Sequence, residues 1–229
     1  MSETSMDADR HTLPRRRFLR DSALAIGASS LAVTVPFSSS ASAHGAGSLS
    51  PLLRGLNLQT PASLDAYAPV ALDAAQLTTL KAAIDRLLPA DDLGPGAVDA
   101  GVFVYIDQTL AASDEAVLAL YQQGLAALDT AAGSGGFAGL SAADQDALLT
   151  KVEAGSVADV PDGFFITLLT HTRQGMFGDP IHGGNRDFVG WDLIGYPGIK
   201  LLWTEADQKI GATVAPLHIS VTQFRGEDK

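Results

Sequence analysis

The chain of 229 residues carries 26 acidic and 15 basic residues, for a formal net charge of −11, and contains no cysteine. The absence of cysteine excludes disulfides, thiolate zinc sites, iron–sulfur clusters and the Cys-x-x-Cys-His attachment of a c-type haem. Such an acidic surface repels nucleic acid and anionic lipid headgroups, so we exclude DNA and RNA as partners. With 46% hydrophobic residues, the chain can bury a core.

The N-terminal segment resembles a twin-arginine (Tat) signal. Arg15 and Arg16 form the arginine pair, and Phe18 and Leu19 supply the apolar residues that follow it. A mildly apolar run at residues 22–36 comes next and is too short to span a bilayer. We therefore predict that the Tat translocase exports this protein to the periplasm or the outer face of the cytoplasmic membrane.

A cleavage motif closes this segment. Ala41 and Ala43 form an A-x-A site, so residues 1–43 are predicted to be the signal peptide. Residues 44–70 are rich in Ser, Leu, Pro and Gly and are predicted to form an extended arm. Residues 71–229 would then form one helical domain. No later run is long and apolar enough for a membrane span, so we predict no transmembrane helix in the mature chain.

The first predicted helix begins after Asp73 and ends before Pro89. Gln76 lies three residues after Asp73, which is the spacing of a capping box. The apolar stripe of this helix is formed at helical spacing by Leu77, Leu80, Ile84, Leu87 and Leu88.

Four more helices are predicted up to about residue 175. The second covers about 98–111, and Ser113 would cap the third, which ends before the glycine-rich break at 133–136. Ser141 would cap the fourth helix, and Pro161 would open the fifth. No run alternates long enough to require a strand. The predicted fold class is mostly α: a small helical bundle with a long irregular Gly/aromatic loop, followed from residue 205 by a short helix or extended tail.

The irregular loop at residues 178–198 contains six glycines and two prolines and is predicted to be non-helical. Its Trp and Tyr residues are typical anchors where proteins meet. Two interpretations remain open: a surface that binds a partner, or a structural loop that closes over the core of the bundle. The candidate partner-binding residues are Phe177, Asp179, Pro180, His182, Gly183, Gly184, Asn185, Trp191 and Tyr196.

This stretch resembles the signature of the gluconate 2-dehydrogenase subunit 3 family, which has the form D-P-x-x-G-G-N, then G-W, then G-Y-P-G. The segments Leu88-Pro89, 96–102 and Ile106-Asp107 look like the early part of that family. The resemblance extends over roughly residues 72–199. The residues that match the signature are Asp179, Pro180, Gly183, Gly184, Asn185, Gly190, Trp191, Gly195, Tyr196, Pro197 and Gly198.

The resemblance implies a small, non-catalytic subunit of an exported dehydrogenase that oxidises sugars, polyols or sugar acids. In such complexes a large subunit holds FAD, and a separate cytochrome c subunit often carries electrons to the quinone pool. The small subunit typically bears the Tat signal and is thought to escort the folded large subunit across the membrane. The resemblance implies no catalytic residue, cofactor or metal in this chain, so we expect no activity from the chain alone.

Two other hypotheses belong to different classes of protein. One is an exported metal-assisted hydrolase that uses His171, Asp179 and His182, because imidazole and carboxylate groups are common metal ligands. The other is a stand-alone sugar-binding module. A stoichiometric bound metal would support the hydrolase, and stabilisation by sugar without any partner would support the binding module.

Overall fold

The computed structural model describes residues 63–221 and 223. The predicted signal and cleavage residues lie outside this part of the chain and stay predictions: Arg15, Arg16, Phe18, Leu19, Ala41 and Ala43. The same is true of most of the predicted arm. None of the helices among the described residues combines the length and hydropathy needed to cross a membrane.

The described residues form six α-helices and three short 3-10 turns, with no strand among them. The predicted mostly α class is therefore confirmed. The helices are α1 (Ala74–Leu87), α2 (Val102–Ala112), α3 (Glu115–Ala132), α4 (Ala142–Glu153), α5 (Phe164–Phe177) and α6 (Val189–Ile194). The 3-10 turns are Phe137–Gly139, Pro180–His182 and Arg186–Phe188.

Two predicted helix starts are confirmed in atomic detail. At α1, the Asp73 carboxylate accepts a hydrogen bond from the Gln76 backbone N–H at 2.8 Å. The Gln76 side chain in turn accepts one from the Asp73 N–H at 3.0 Å, which completes the capping box. At α4, the Ser141 hydroxyl accepts from the Asp144 N–H at 3.2 Å.

Three other helix starts differ from the prediction. Helix α2 begins at Val102 and not near residue 98, because Gly101 has a left-handed φ of 72° that ends the preceding turn. Ser113 does not cap α3: its hydroxyl donates to the Thr109 carbonyl at the end of α2, and Asp114 takes the N-cap position. Helix α5 begins at Phe164, after a turn that ends in left-handed Gly163.

The loop and the tail also differ from the prediction. Residues 178–198 are not wholly irregular, because they contain two of the 3-10 turns and α6. From 199 to 220 the chain has no helix, only turns and an isolated bridge between Gly198 and Ile219. The predicted short helix is therefore absent from this described stretch, and the turns between 205 and 211 make the stretch more compact than the predicted extended tail.

The core lies where α1 packs against α2, α3, α4 and α5. The predicted stripe of α1 faces this core, since each of its leucines and isoleucines is buried. Aromatic rings from four other segments fill the space between the helices. The largest fully buried side chains include Tyr121, Phe103, Phe137 and Phe164.

A buried carboxylate joins the segment before α1 to α2. The Asp107 side chain is on α2 and accepts hydrogen bonds from the Tyr67 hydroxyl and the Val70 N–H, both at 2.6 Å. It also accepts from the N–H groups of Ala71 (3.1 Å) and Leu72 (2.8 Å). Burial, followed by the hydrogen bond to Asp107, raises the pKa of the Tyr67 hydroxyl above its ordinary value, so that hydroxyl stays a donor. Four donors compensate the cost of burying this charge.

We expect Asp107→Asn to lower the free energy of unfolding by about 2–3 kcal/mol, because the amide nitrogen cannot accept a hydrogen bond and leaves buried N–H groups without a partner. Urea unfolding followed by circular dichroism measures the change. Asp65→Asn is the matched control, since Asp65 is an exposed carboxylate on the same segment. Equal stability of the two variants would contradict the role given to Asp107.

Candidate functional site

Residues 178–198, called the capping loop below, close the C-terminal end of α5. The last carbonyl groups of any α-helix lack partners within the helix. Here the Trp191 indole N–H donates to the Phe177 carbonyl at 2.9 Å, and the Asn185 side-chain amide donates to the Gly178 carbonyl at 2.8 Å. Side chains from the capping loop therefore satisfy the end of α5.

Asn185 lies at the centre of the capping loop and has no exposed surface. Its side-chain oxygen accepts from the Gly190 N–H at 2.8 Å, so one amide links the start of the loop to the start of α6. Its backbone is left-handed, with φ 47°, a conformation that asparagine tolerates better than most residues. The next residue, Arg186, donates its N–H to the Ala100 carbonyl at 3.0 Å, which ties the loop to the turn before α2.

Two glycines let the capping loop approach the backbone of α5 closely. A Cβ atom at Gly190 would overlap the Met176 carbonyl oxygen, and one at Gly184 would overlap the Gly175 carbonyl oxygen. These positions therefore require glycine because of the space available, apart from any backbone angle. This contact therefore accounts for two of the six glycines in the loop.

Trp191 points into the protein. Only 4% of its surface is exposed, and its ring contacts Tyr196 edge to face at 4.8 Å between centroids. Phe188 packs on the other side at 5.2 Å. Tyr196, in contrast, keeps 42% of its surface exposed. The aromatic residues of the capping loop thus form a small cluster with one exposed member.

Asp179 connects the capping loop to the end of the described chain. One carboxylate oxygen accepts from the Ile181 N–H at 3.0 Å and caps the following turn. The other accepts from the Val221 N–H at 3.0 Å. Farther along, His218 stacks on Phe188 at 4.8 Å and lies 2.7 Å from the Asp192 carboxylate. His218 and Val221 therefore fasten the end of the described chain to the loop.

The predicted partner-binding residues fall into three groups by exposure. Buried members are Gly183, Gly184, Asn185 and Trp191. Partly buried members are Phe177, Asp179 and Pro180. Exposed members are His182 and Tyr196.

For the buried group, the contacts described above are those of a structural loop that closes over the core. Trp191 in particular offers little surface to a partner in this conformation, since its indole is occupied by Phe177 and Tyr196. A direct partner contact stays a prediction for the whole set. The exposed side chains of His182 and Tyr196 fit it best.

The residues of the hydrolase hypothesis have other partners. His171 on α5 stacks on Tyr121 at 5.7 Å, with its Nδ1 3.0 Å from the Tyr121 hydroxyl. Both oxygens of Asp179 accept backbone hydrogen bonds. Across residues 63–221 and 223, no group of three His, Cys, Asp or Glu residues is arranged to hold a metal ion. The arrangement therefore gives His171, Asp179 and His182 no common site.

Sequence reasoning did not single out the exposed apolar residues after the capping loop. Leu201, Leu202 and Trp203 are adjacent in sequence and exposed, and Ile210 is also exposed. Three successive large apolar residues in a stretch without helical or alternating periodicity were the signal that could have found them.

The helical bundle and its capping loop match a known protein family. The model of the family described as gluconate 2-dehydrogenase subunit 3 matches residues 74–198. The chain belongs to this family. The match runs from the first residue of α1 to the last residue of the capping loop, and the family is that of a subunit of a dehydrogenase complex. No curated protein and no solved structure matches the chain.

We expect Gly190→Ala to lower the free energy of unfolding by about 1–3 kcal/mol, because the added methyl group displaces the loop from the Met176 carbonyl. Gly139→Ala is the control, since a Cβ there meets nothing within 4 Å. Urea unfolding measures stability, and limited proteolysis reports on the loop itself. Unchanged stability and protection in Gly190→Ala would refute the close packing of this loop.

A second prediction concerns pH. Burial lowers the pKa of His171, whereas an unfolded histidine has a pKa of about 6.5. Below about pH 6.5 this histidine binds a proton in the unfolded chain but not in the folded one. The free energy of unfolding therefore falls as the pH is lowered, until the pH reaches the pKa of folded His171. We expect urea unfolding at pH 7.5, 6.5 and 5.5 to show a steeper loss for the natural chain than for His171→Gln. Parallel losses would contradict the assignment, since the other histidines are the same in both proteins.

Proposed function

We propose that this chain is the small, non-catalytic subunit of an exported FAD-dependent dehydrogenase that oxidises a sugar or sugar acid. In this proposal it escorts the large flavoprotein subunit through the Tat translocase and stabilises it afterwards. The complex would work in the periplasm or at the outer face of the cytoplasmic membrane.

The observation that carries the proposal is the family match over residues 74–198 in a chain that also has the twin-arginine pattern at Arg15 and Arg16. The family name indicates that the chain is one subunit of a dehydrogenase complex. The predicted signal would explain why this subunit is a separate small chain. A chain without cysteine cannot attach haem c through a Cys-x-x-Cys-His motif. In this proposal electron transfer belongs to other subunits, with FAD in the large one and haem in a cytochrome c subunit where one is present.

Piggyback transport explains why the two roles would be combined. A flavoprotein that is loaded with FAD in the cytoplasm must cross the membrane in its folded form. One signal on a tightly bound small subunit is enough to direct the assembled pair to a translocase that accepts folded cargo. The bundle and its capping loop are compatible with this role, because a chain without cysteine closes its fold through packing and hydrogen bonds and needs no disulfide.

The export role predicts that replacing Arg15 and Arg16 with Lys leaves both this chain and the flavoprotein in the cytoplasm. Cell fractionation followed by immunoblotting and a dehydrogenase assay with an artificial electron acceptor measures both proteins. Arg17→Lys is the charge-matched control, since Arg17 occupies the variable position of the motif. If the flavoprotein is exported normally while the small subunit stays in the cytoplasm, the escort role is wrong.

The partner is tested by purifying the tagged full chain from its own cells. We expect a large protein to co-purify at one copy per chain and to show the visible absorbance bands of oxidised flavin. A preparation without flavin would contradict the proposal. So would a purified chain that oxidises sugars in the absence of any other subunit.

A further inference from the structure

Exposed apolar side chains are concentrated in one segment of the described chain. Of the ten large hydrophobic residues with high exposure, seven lie between residues 194 and 217, and only three lie elsewhere. Single exposed apolar residues are normal, but a concentration of them marks a surface that another molecule covers. The seven are Ile194, Tyr196, Leu201, Leu202, Trp203, Ile210 and Leu217.

Most of them belong to residues 199–218, called the apolar loop below, whose two ends are joined. The Ile199 N–H donates to the Ile219 carbonyl at 2.9 Å, and the Leu217 N–H donates to the Pro197 carbonyl at 2.7 Å. The His218 N–H donates to the same Pro197 carbonyl at 3.2 Å. The segment between is thus a closed loop that starts and ends on the capping loop.

Several polar groups of the apolar loop bond to one another within it. The Lys200 ammonium lies 2.7 Å from the Asp207 carboxylate, which also accepts from the Thr204 N–H at 2.8 Å. The Trp203 indole N–H donates to the Lys200 carbonyl at 3.1 Å. These bonds fix the turn that carries Leu201, Leu202 and Trp203. The closed loop presents Leu201 and Leu202 to solvent.

The charge of the apolar loop separates the possible occupants. It carries two basic residues, Lys200 and Lys209, and two acidic ones, Glu205 and Asp207, in a chain of net charge −11. An anionic bilayer is disfavoured, because the rest of this acidic chain repels it. A second copy is disfavoured for the same reason, since two equally acidic chains repel each other. A different protein with an apolar surface need not repel this chain. The cores of such interfaces are poor in charged residues and rich in aromatic ones.

We propose that the apolar loop, with exposed Ile194 and Tyr196 beside it in sequence, is the surface that docks the large dehydrogenase subunit. Leu201, Leu202 and Trp203 form its centre. This inference rests on the proposed function, because the family of a dehydrogenase subunit is what supplies a protein partner. It assigns recognition to a segment that begins where the family match ends, at residue 198.

The test compares the full chain with the double variant Leu201→Ser, Leu202→Ser. The two leucines are 72% and 82% exposed, so their replacement should leave the unfolding midpoint unchanged. The matched control is Leu93→Ser, Ile166→Ser, which removes two exposed apolar residues outside the apolar loop. The measured quantity is the affinity for the purified flavoprotein that co-purifies with the natural chain. We expect a loss of about tenfold or more in the loop variant only, as for removal of central interface residues.

The outcomes distinguish this inference from the proposed function. Failure of the natural chain to bind the flavoprotein overturns both. Equal binding by the natural chain and the loop variant overturns the docking surface alone. A dimer in light scattering that dissociates in the loop variant, with flavoprotein binding intact, assigns the surface to a second copy and overturns the proposal. Loss of sedimentation with phosphatidylglycerol vesicles, again with binding intact, assigns it to a membrane and also overturns the proposal. Ile210→Ser, at a fully exposed position, repeats the test on a second part of the loop.

Discussion

The carbonyl groups at the C-terminal end of α5 are the constraint on which the site depends. A helix that ends inside a protein must find donors for its last carbonyl groups, or bear the cost of burying them unpaired. In this chain the donors are the side chains of Trp191 and Asn185. Both side chains point inward, which brings the backbone of the capping loop against the backbone of α5. The glycines at this contact leave the room that a side chain would fill.

A second buried polar group acts in the same way on α2. Asp107 gathers four donors from the segment before α1, just as the end of α5 gathers donors from the capping loop. The Arg186 N–H bond to the Ala100 carbonyl connects the capping loop to the turn that precedes the helix of Asp107. Directional hydrogen bonds between distant segments therefore fix how the non-helical parts lie on an otherwise ordinary apolar core.

This arrangement changes what the family signature means physically. Asp179, Asn185 and Trp191 identify the family, and each has its polar group engaged within the chain. A residue that is occupied in this way builds the surface more than it contacts a partner. The exposed apolar residues that are free to do so come later, in a closed loop fastened to the signature at Pro197. In the proposed docking arrangement, the signature builds the surface and the apolar loop after it contacts the partner.

The sequence by itself determined the features that depend on neighbours along the chain. The capping box of Asp73 and Gln76, the Ser141 cap and the apolar stripe of α1 follow from local spacing, and so did the helical class and the family resemblance. The twin-arginine pattern is equally local, and it stays a prediction. Local pattern was insufficient at Ser113 and Gly101, where a competing carbonyl and a left-handed turn decided the helix boundary. Only the tertiary structure decided that Trp191 and Asn185 point inward, that Asp107 collects four donors and that Leu201 and Leu202 stay outside. The reason is that these hydrogen bonds and this exposure depend on contacts between segments that are distant in sequence. The spacing of residues along one segment does not show which donors, acceptors or apolar surfaces the other segment places next to it.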